Sequence, residues 1–350
     1  MLVVIVGATG NSGTSLIGSL AQEDRVDSVV GVARRKPDIV LPKVTWVAAD
    51  ITVDDLDPIF AGADAVVHLA WLIQPSRDLG FLRAVNVEGT RRVLRAVADA
   101  RVPNLVYASS VGAYSPGSKQ QRVDETWPTE GVSTSFYSRH KAETERMLDS
   151  FEADIPQVRV VRLRPGLIFK RESASGQRRL FAGPLLPNYL VRKRLIPFVP
   201  DTPRLVFQCV HSYDIGEAYR LALVSDVRGA FNVAAEPPIG PAELGELMGA
   251  RRVRLSEGAI RSATAASWRA HVQPTPEGWV DLAFESPLMD VSRATAELGW
   301  KPQRTSFEAL DDLIDGLGSG AGFDTPPLDP GSKGLLRIKE LAGGIGSRER

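Results

Sequence analysis

Short runs of apolar, largely β-branched residues alternate with helix-like segments along the chain. Continuous apolar runs between helices predict strands buried on both faces, as in a parallel sheet. Helical patterns such as 81–100 and 136–151 would supply the right-handed crossovers, so the pattern predicts a doubly wound α/β domain. The runs are LVVIV (2–6), SVVGVA (28–33), VTWVAAD (44–50), ADAVVHLA (63–70), NLVYASS (104–110), VRVVRLRPG (158–166) and GAFNVAAE (229–236).

The periodic pattern weakens after residue 166, where Pro, Gly and Arg become frequent. We expect a sheet-forming core over 1–166 and a smaller, mostly C-terminal region over 167–317, whose strand within 205–235 returns to the core. The segment 171–204 mixes aromatic and basic residues, and it forms either the apolar walls of a pocket or a solvated lid. Glycine- and proline-rich sequence over 318–350 predicts a mobile tail.

Composition excludes several classes of function. The 350 residues are 43% hydrophobic and carry 42 basic and 42 acidic side chains, so charge gives no reason to expect nucleic acid or an anionic membrane as partner. No apolar stretch is long enough to span a bilayer, and we expect a cytoplasmic protein. The single cysteine, Cys209, is predicted to be a small core residue. The histidines lack metal-ligand spacing, so we predict no metal.

A glycine-rich sequence, GATGNSG, joins the first predicted strand to the first predicted helix. The first glycine permits a tight turn, the second lets the backbone approach a pyrophosphate, and the third allows close helix–strand packing. The helix N-terminus adds free N–H groups and the positive end of a dipole. This context predicts dinucleotide binding, with a plain glycine-rich turn as the alternative. The candidate cofactor-binding residues are Gly7, Gly10, Asn11, Ser12 and Gly13.

The end of the second predicted strand bears on which dinucleotide binds. An acid there would hydrogen-bond the adenosine ribose 2′-OH, but the strand continues into Arg34, Arg35 and Lys36. Guanidinium groups suit a 2′-phosphate, so we favour NADP over NAD, with a solvated basic loop as the alternative. Asp50 and Ile51, after the third strand, are candidates for the adenine edge, although Asp50 could equally cap the segment that follows.

Several motifs resemble, in order and spacing, the extended short-chain dehydrogenase/reductase superfamily, the NAD-dependent epimerase/dehydratase-like proteins. They are GATGNSG, DAVVHLA, NVEGT, YASS and YSRHK, followed by RPG, VHSYDIGEA and ELGWKP. The resemblance covers about residues 1–310 and implies a Rossmann fold. It implies that 1–166 binds the dinucleotide and 167–317 binds a small-molecule substrate. It also implies that a homodimer can form through the two long helices.

Tyr137 and Lys141 are one helical turn apart and would share a helical face. The resemblance implies that Tyr137 is the general acid/base and that Lys141 is its helper. A nearby ammonium and the positive nicotinamide would lower the phenol pKa from about 10. The resemblance gives Ser110 as the hydrogen-bond partner of the substrate oxygen, with Ser109 as the neighbouring candidate.

The resemblance implies further contacts with the cofactor. Leu69, Ala70 and Trp71 follow the fourth predicted strand, where the family's backbone passes the cofactor. Asn86 matches a position that holds the active-site backbone near the nicotinamide, and the alternative is a mid-helix Asn satisfied locally. Gly166 matches a loop beside the nicotinamide carboxamide.

Three departures from the family pattern narrow the chemistry. Val111 and Gly112 follow Ser110, where dehydratases of the family carry an Asp-Glu pair, so dehydration is disfavoured. Leu167 stands where sugar-nucleotide epimerases usually carry Asn, which counts against nucleotide-sugar binding. Lys170 stands where Gly is usual, so the substrate loop is not standard.

These observations predict an NAD(P)-dependent oxidoreductase that transfers hydride between nicotinamide and a carbonyl or secondary alcohol of a small molecule. The alternative within the family is a nucleotide-sugar epimerase, which retains its NAD. A third alternative is a non-catalytic dinucleotide-binding redox sensor. Such sensors often lack the Tyr/Lys pair, which this chain has.

Overall fold

The structure, a computed structural model, describes residues 1–73, 77–181, 193 and 196–330. Much of the segment predicted to shape an apolar pocket, 182–192 and 194–195, therefore lies outside the described residues. So does 331–350, the larger part of the predicted tail.

The strands of the described residues fall into one large sheet and three small pairs. In chain order they are β1 (Leu2–Val6), β2 (Ser28–Ala33), β3 (Val44–Ala48), β4 (Ala65–His68), β5 (Asn104–Ala108), β6 (Arg122–Val123), β7 (Arg159–Pro165), β8 (Leu167–Phe169), β9 (Phe198–Asp201), β10 (Cys209–His211), β11 (Gly229–Val233), β12 (Arg251–Arg254) and β13 (Leu288–Met289).

The α-helices flank this sheet and build most of the second region. They are α1 (Asn11–Leu20), α2 (Asp57–Phe60), α3 (Leu79–Arg83), α4 (Gly89–Asp99), α5 (Phe136–Asp154), α6 (Ala174–Phe181), α7 (Ser212–Val224), α8 (Pro241–Met248), α9 (Glu257–Arg269), α10 (Gly278–Glu285), α11 (Ser292–Ala296) and α12 (Ser306–Ser319). A π-helical turn (Ala84–Glu88) joins α3 to α4, and 3₁₀ turns cover Val111–Ala113 and Arg171–Ser173.

The central sheet has seven parallel strands in the order β11-β7-β5-β4-β1-β2-β3. Each of the seven apolar runs contributes one of these strands, so the prediction of a doubly wound α/β fold is confirmed. The chain first moves outward from β1 through β2 to β3, and then returns to the other side of β1 with β4. This reversal opens a crevice at the carboxyl ends of β1 and β4, where ligands bind in such folds.

Alternate residues of the strands pack into two separate cores, one on each face of the sheet. Ile5 of β1 faces α1 and α7, whereas Val4 and Val6 face α2, α4 and α5. Helices α1 and α7 approach so closely that a Cβ on Gly216 would lie 2.6 Å from the carbonyl oxygen of Ser15. Burial on both faces explains why the strands are continuously apolar.

The second region is held together by short parallel pairs, β8 with β10, β9 with β12 and β6 with β13. Because β6 lies within 1–166 yet pairs with β13, the division expected at residue 166 is not a clean boundary. Cys209 of β10 is buried in the core of this region, where burial raises its pKa to about 12. The prediction that it is a core residue is confirmed.

Residues 321–330, which we call the C-terminal strap, fold back onto the glycine-rich turn. The Thr325 hydroxyl donates to the carbonyl oxygen of Thr9 at 2.8 Å, and Thr325 and Leu328 are buried. Helix α12 itself continues to Ser319. Residues 318–330 therefore differ from the mobile tail expected there, because they bury side chains against the glycine-rich turn and α6.

A buried cluster of charges joins α5 to β7. Glu145 of α5 is fully buried and accepts two hydrogen bonds from Arg164, at 2.9 and 3.0 Å, and one from Arg162 at 2.9 Å. Burial by itself would raise the pKa of Glu145, but the two guanidinium groups outweigh it and lower that pKa to about 2. The carboxylate therefore stays ionised and fixes the position of α5 on the sheet.

Replacing Glu145 with Gln should lower the free energy of unfolding by about 3 kcal/mol, because buried guanidinium groups lose their counter-charge. Urea unfolding followed by circular dichroism measures this. Glu143→Gln is the control on the same helix, since Glu143 is partly exposed and pairs with Arg83; it should cost less than about 1 kcal/mol. Equal losses in the two variants would contradict the role given to the cluster.

Candidate active site

The three predicted catalytic residues meet at the carboxyl end of β5. Ser110 is the second residue after β5, and Tyr137 and Lys141 lie on the first two turns of α5. Helix α5 starts at Phe136 because the hydroxyl of Ser135 caps it, accepting from the Ser138 N–H. The Ser110 hydroxyl and the Tyr137 ring both border Gly112, within 3.4 Å of the position that a Cβ would take there.

The two neighbouring serines have different surroundings. Ser109 is buried and donates to Oε1 of Glu145 at 2.5 Å, so its hydroxyl belongs to the charge cluster. Ser110 accepts from the Gly112 N–H at 3.0 Å and faces the phenol of Tyr137. The geometry therefore favours Ser110 over Ser109 as the residue that meets a substrate oxygen.

Gly112 packs against the ring of Tyr137. A Cβ at this position would lie 2.8 Å from Cε1 of Tyr137 and 3.4 Å from the Ser110 hydroxyl. The Gly112 carbonyl also accepts from the Ser138 hydroxyl at 2.5 Å, which ties the turn to α5. Sequence reasoning noted Gly112 only as a departure from the dehydratase pattern and missed that the phenol needs this space.

Lys141 is almost fully buried and points towards the sheet. Its ammonium donates to the Ala108 carbonyl at 2.6 Å and lies 3.5 Å from the ring centre of Trp71. Burial lowers the pKa of Lys141 to about 7, against the opposing attraction of Glu145. A cation–π contact and one carbonyl thus hold this ammonium between Trp71 and the end of β5.

The pKa of Tyr137 differs from the expectation that Lys141 lowers it. Burial raises this pKa above its ordinary value, and the nearby Ser110 hydroxyl opposes the rise. Desolvation of the phenolate outweighs the other effects here, while the Lys141 ammonium contacts Ala108 and Trp71. The phenol is therefore protonated at neutral pH in the protein alone.

Aromatic rings surround Tyr137 on several sides. Its ring centre lies 5.9 Å from that of Trp71 and 5.0 Å from that of Trp279 on α10, and Phe181 lies 5.3 Å beyond Trp279. Among the described residues, the indole nitrogens of Trp71 and Trp279 are buried without a hydrogen-bond partner. Sequence reasoning missed Trp279, because no local pattern places a residue so distant in the chain beside Tyr137.

Asn86 lies in the π-helical turn and clamps a distant backbone segment. Its amide donates to the Leu72 carbonyl and accepts from the Leu72 N–H, both at 2.7 Å. The alternative of local satisfaction is wrong, since these two bonds reach 14 residues back along the chain. They fix the loop that carries Trp71 over Lys141.

The three glycines of the turn differ in what a Cβ would contact. Gly7 has φ +88°, and a Cβ there would lie 2.6 Å from the Ala70 nitrogen; a Cβ on Gly13 would lie 2.5 Å from the Ala8 carbonyl. Packing within the protein therefore requires glycine at both positions, because a Cβ would clash with the backbone. A Cβ on Gly10 would meet only the Gly7 carbonyl, at 3.4 Å. The turn itself therefore leaves room for a small side chain at Gly10, and the role of Gly10 towards a cofactor stays a prediction.

The first turn of α1 fits a pyrophosphate. Gly10 is the N-cap and provides no side-chain cap, and the first turn holds no acidic residue. The N–H groups of Asn11 and Ser12 therefore start an uncapped helix with its positive dipole end outward. Leu69 and Ala70 border the same turn, since their backbone is what a Cβ on Gly7 would strike.

Arg34 and Arg35 are exposed and follow β2, whose Val32 carbonyl accepts from the Gly7 N–H at 2.9 Å. They therefore lie beside the glycine-rich turn, where a ribose phosphate would be reached.

The other predicted cofactor contacts have structural partners of their own. Asp50 accepts from the N–H and hydroxyl of Thr52, so it caps the local turn, and Ile51 is buried where a Cβ on Gly89 would strike it. A Cβ on Gly166 would lie 2.5 Å from the Gln208 carbonyl. Their roles towards a cofactor stay predictions.

The sequence profile described as the NAD dependent epimerase/dehydratase family matches residues 3–234. The chain belongs to this family. An uncharacterized protein of Mycobacterium tuberculosis is 27% identical over 317 residues; the match spans 89% of this chain but only 30% of that protein. A decarboxylating sterol-4-alpha-carboxylate 3-dehydrogenase of Candida albicans is 33% identical over 146 residues, 40% of this chain and 39% of that enzyme.

The fold is also that of known structures. The UDP-glucose 4-epimerase of Thermus thermophilus, solved in complex with NAD, aligns with a TM-score of 0.67 at 22% identity, covering 91% of this chain and 99% of that one. Within the described residues, no helix is long and apolar enough to cross a membrane. The same residues contain no group of three or more His, Cys, Asp or Glu side chains that could hold a metal ion.

Gly10→Ala should separate ligand binding from folding. Its backbone, at φ −79° and ψ −179°, suits alanine, so we expect the free energy of unfolding to change by less than about 0.5 kcal/mol. The added methyl group would occupy the approach of the pyrophosphate, so affinity for NADPH and NADH should fall at least about tenfold. Calorimetric titration measures both affinities.

Gly18→Ala is the matched control on the same helix, because nothing lies within 4 Å of a Cβ there. It should leave nucleotide affinity unchanged. If Gly10→Ala bound the nucleotides as tightly as the unmodified protein, the assignment of the turn would be wrong.

Proposed function

We propose that this protein is an NAD(P)-dependent oxidoreductase that transfers hydride between a nicotinamide and a carbonyl or secondary alcohol of a small molecule. The observation that carries the proposal is the meeting of Ser110, Tyr137 and Lys141 at the sheet edge that also presents the uncapped glycine-rich turn. Membership of the NAD dependent epimerase/dehydratase family supports the choice of cofactor.

Tyr137 acts as the general acid when a carbonyl is reduced. When bound, the nicotinamide supplies the hydride that the side chains cannot. Burial keeps the phenol of Tyr137 protonated, so it can give its proton to the substrate oxygen. Ser110 holds that oxygen by hydrogen bonding, and the nearby Lys141 ammonium stabilises the phenolate left behind. Oxidation of an alcohol reverses the same proton transfer.

The side chains around Tyr137 favour a substrate with an apolar ring. Trp71, Trp279 and Phe181 present aromatic surfaces from three separate segments. Such walls bind apolar faces and leave few polar groups to fix orientation. Leu167, which replaces the Asn usual in sugar-nucleotide epimerases, is 45% exposed and offers no polar side chain to a nucleotide. The Candida relative, named for a sterol substrate, supports the same class.

A nucleotide-sugar epimerase is the second candidate function. It is favoured by the family's description and by the fold shared with a UDP-glucose 4-epimerase that holds NAD. The two candidates differ in cofactor use, because an epimerase oxidises and re-reduces its substrate within one turnover and so keeps its NAD. Trp279 against the catalytic ring and Leu167 count against it.

We propose a preference for NADP over NAD. Arg34 and Arg35 are exposed at the end of β2, beside the glycine-rich turn, and can reach a 2′-phosphate with charge-assisted hydrogen bonds. The ratio of the NADPH and NADH dissociation constants measures this preference directly. Pairing of two copies through the long helices stays a prediction.

Tyr137→Phe tests the mechanism. We expect kcat/KM to fall about a thousandfold, because the proton donor is lost, while NADPH affinity stays within about twofold. Tyr219→Phe is the control: Tyr219 is buried, and its hydroxyl has no hydrogen-bond partner among the described residues, so activity should persist.

Turnover is followed as NADPH oxidation with a panel of apolar cyclic ketones, and epimerisation is assayed with UDP-sugars. Full activity of Tyr137→Phe would contradict the mechanism. Activity on UDP-sugars alone would contradict the substrate class.

A further inference from the structure

Lys170, which the sequence marks as unusual, is a buried cation beside the glycine-rich turn. It follows β8, is 2% exposed and reaches the first turns of α1. Its ammonium donates to the Asn11 carbonyl at 3.2 Å, the Thr14 hydroxyl at 2.8 Å and the Ser15 hydroxyl at 2.9 Å. All three protons of the ammonium are therefore used, and the three acceptors are uncharged.

In the described part of the chain, no carboxylate forms an ion pair with the Lys170 ammonium. The carboxylate that acts on it most is Glu172, which itself accepts from the Tyr213 hydroxyl at 3.1 Å. Burial lowers the pKa of Lys170 to about 8, against that attraction. A buried charge held only by neutral groups is costly unless another charge compensates it.

The contact of the Lys170 ammonium with the N-terminal part of α1 adds to this cost. The N-terminal end of a helix carries positive partial charge, which disfavours a cation there. Lys43 shows the opposite arrangement on the same helix: its ammonium donates to the carbonyls of Glu23 and Leu20 at the C-terminal end, where a cation is favoured. Both penalties on Lys170 would be relieved by an anion at the N-terminus of α1.

The C-terminal strap shields Lys170 from solvent. The ring centre of Phe323 lies 6.0 Å from its ammonium, and that of Tyr213 lies 5.6 Å away. Thr325 closes the strap onto Thr9 of the turn. Charges act over longer distances where water is excluded, so Lys170 need not touch an anion to attract it.

We propose that Lys170 is a positioning residue for the cofactor's pyrophosphate, attracting it through the first turn of α1 without being a direct ligand. The inference rests on the proposed dinucleotide binding. It explains why a lysine is buried behind the turn where the pattern of the family has glycine. The N–H groups of α1 would thus donate hydrogen bonds to the pyrophosphate, and the uncompensated positive charge of Lys170, on the far side of those groups, would attract it.

The test compares two probes, ADP-ribose, which carries the diphosphate, and adenosine, which does not. Calorimetry gives the dissociation constant of ADP-ribose, and displacement of ADP-ribose gives that of adenosine. In Lys170→Met, affinity for ADP-ribose should fall about tenfold, while affinity for adenosine stays within about twofold. Lys170→Arg keeps the charge and should retain most of the affinity for ADP-ribose.

Lys43→Met is the control, because it removes a lysine from the other end of α1; it should leave both affinities unchanged. Lys170→Gln keeps a hydrogen-bond donor for Thr14 and Ser15 and replaces the Met variant if that variant does not fold. It must also lose affinity for ADP-ribose and keep its affinity for adenosine.

Equal losses for the two probes would mean that Lys170 is purely structural, and no loss for either would mean that its charge does not reach the ligand; both results overturn the inference. If the unmodified protein bound neither probe, the proposed dinucleotide binding itself would fail.

Discussion

The ion cluster of Glu145 with Arg162 and Arg164 is the constraint on which the candidate active site depends. It sits where α5 crosses β7, one turn beyond Lys141, and it holds the helix at one position on the sheet. By engaging Ser109, the same carboxylate leaves Ser110 as the serine that faces the phenol. A buried charge cluster of this kind specifies position more than it adds stability, because desolvation offsets much of the attraction.

Around this fixed helix, segments far apart in the chain each contribute one part of the site. Asn86 clamps the loop that carries Trp71, and α10 brings Trp279 against the Tyr137 ring. The C-terminal strap closes over the glycine-rich turn, with Lys170 buried between them. The proposed substrate class follows from the aromatic rings beside Tyr137, and the Lys141 ammonium is buried against one of them.

The elements governed by local pattern were predictable. Continuous apolar runs gave all seven strands of the sheet, and the four-residue spacing placed Tyr137 and Lys141 together on α5. Contacts between distant segments were not predictable: the space that Gly112 leaves for Tyr137, the packing of Trp279 and the docking of Thr325 depend on tertiary structure. In the protein alone desolvation raises the pKa of Tyr137, and this effect cannot be read from the spacing of residues.

The central claim is that the glycine-rich turn holds a nicotinamide cofactor that is exchanged in every catalytic cycle. The most direct measurement is to denature the purified protein, identify and quantify any released nucleotide, and add NADPH to the native protein. The account predicts little or no retained nucleotide and binding of one NADPH per chain. Stoichiometric release of NAD⁺ would contradict cofactor exchange and favour the epimerase, and failure to bind any nicotinamide nucleotide would contradict the account as a whole.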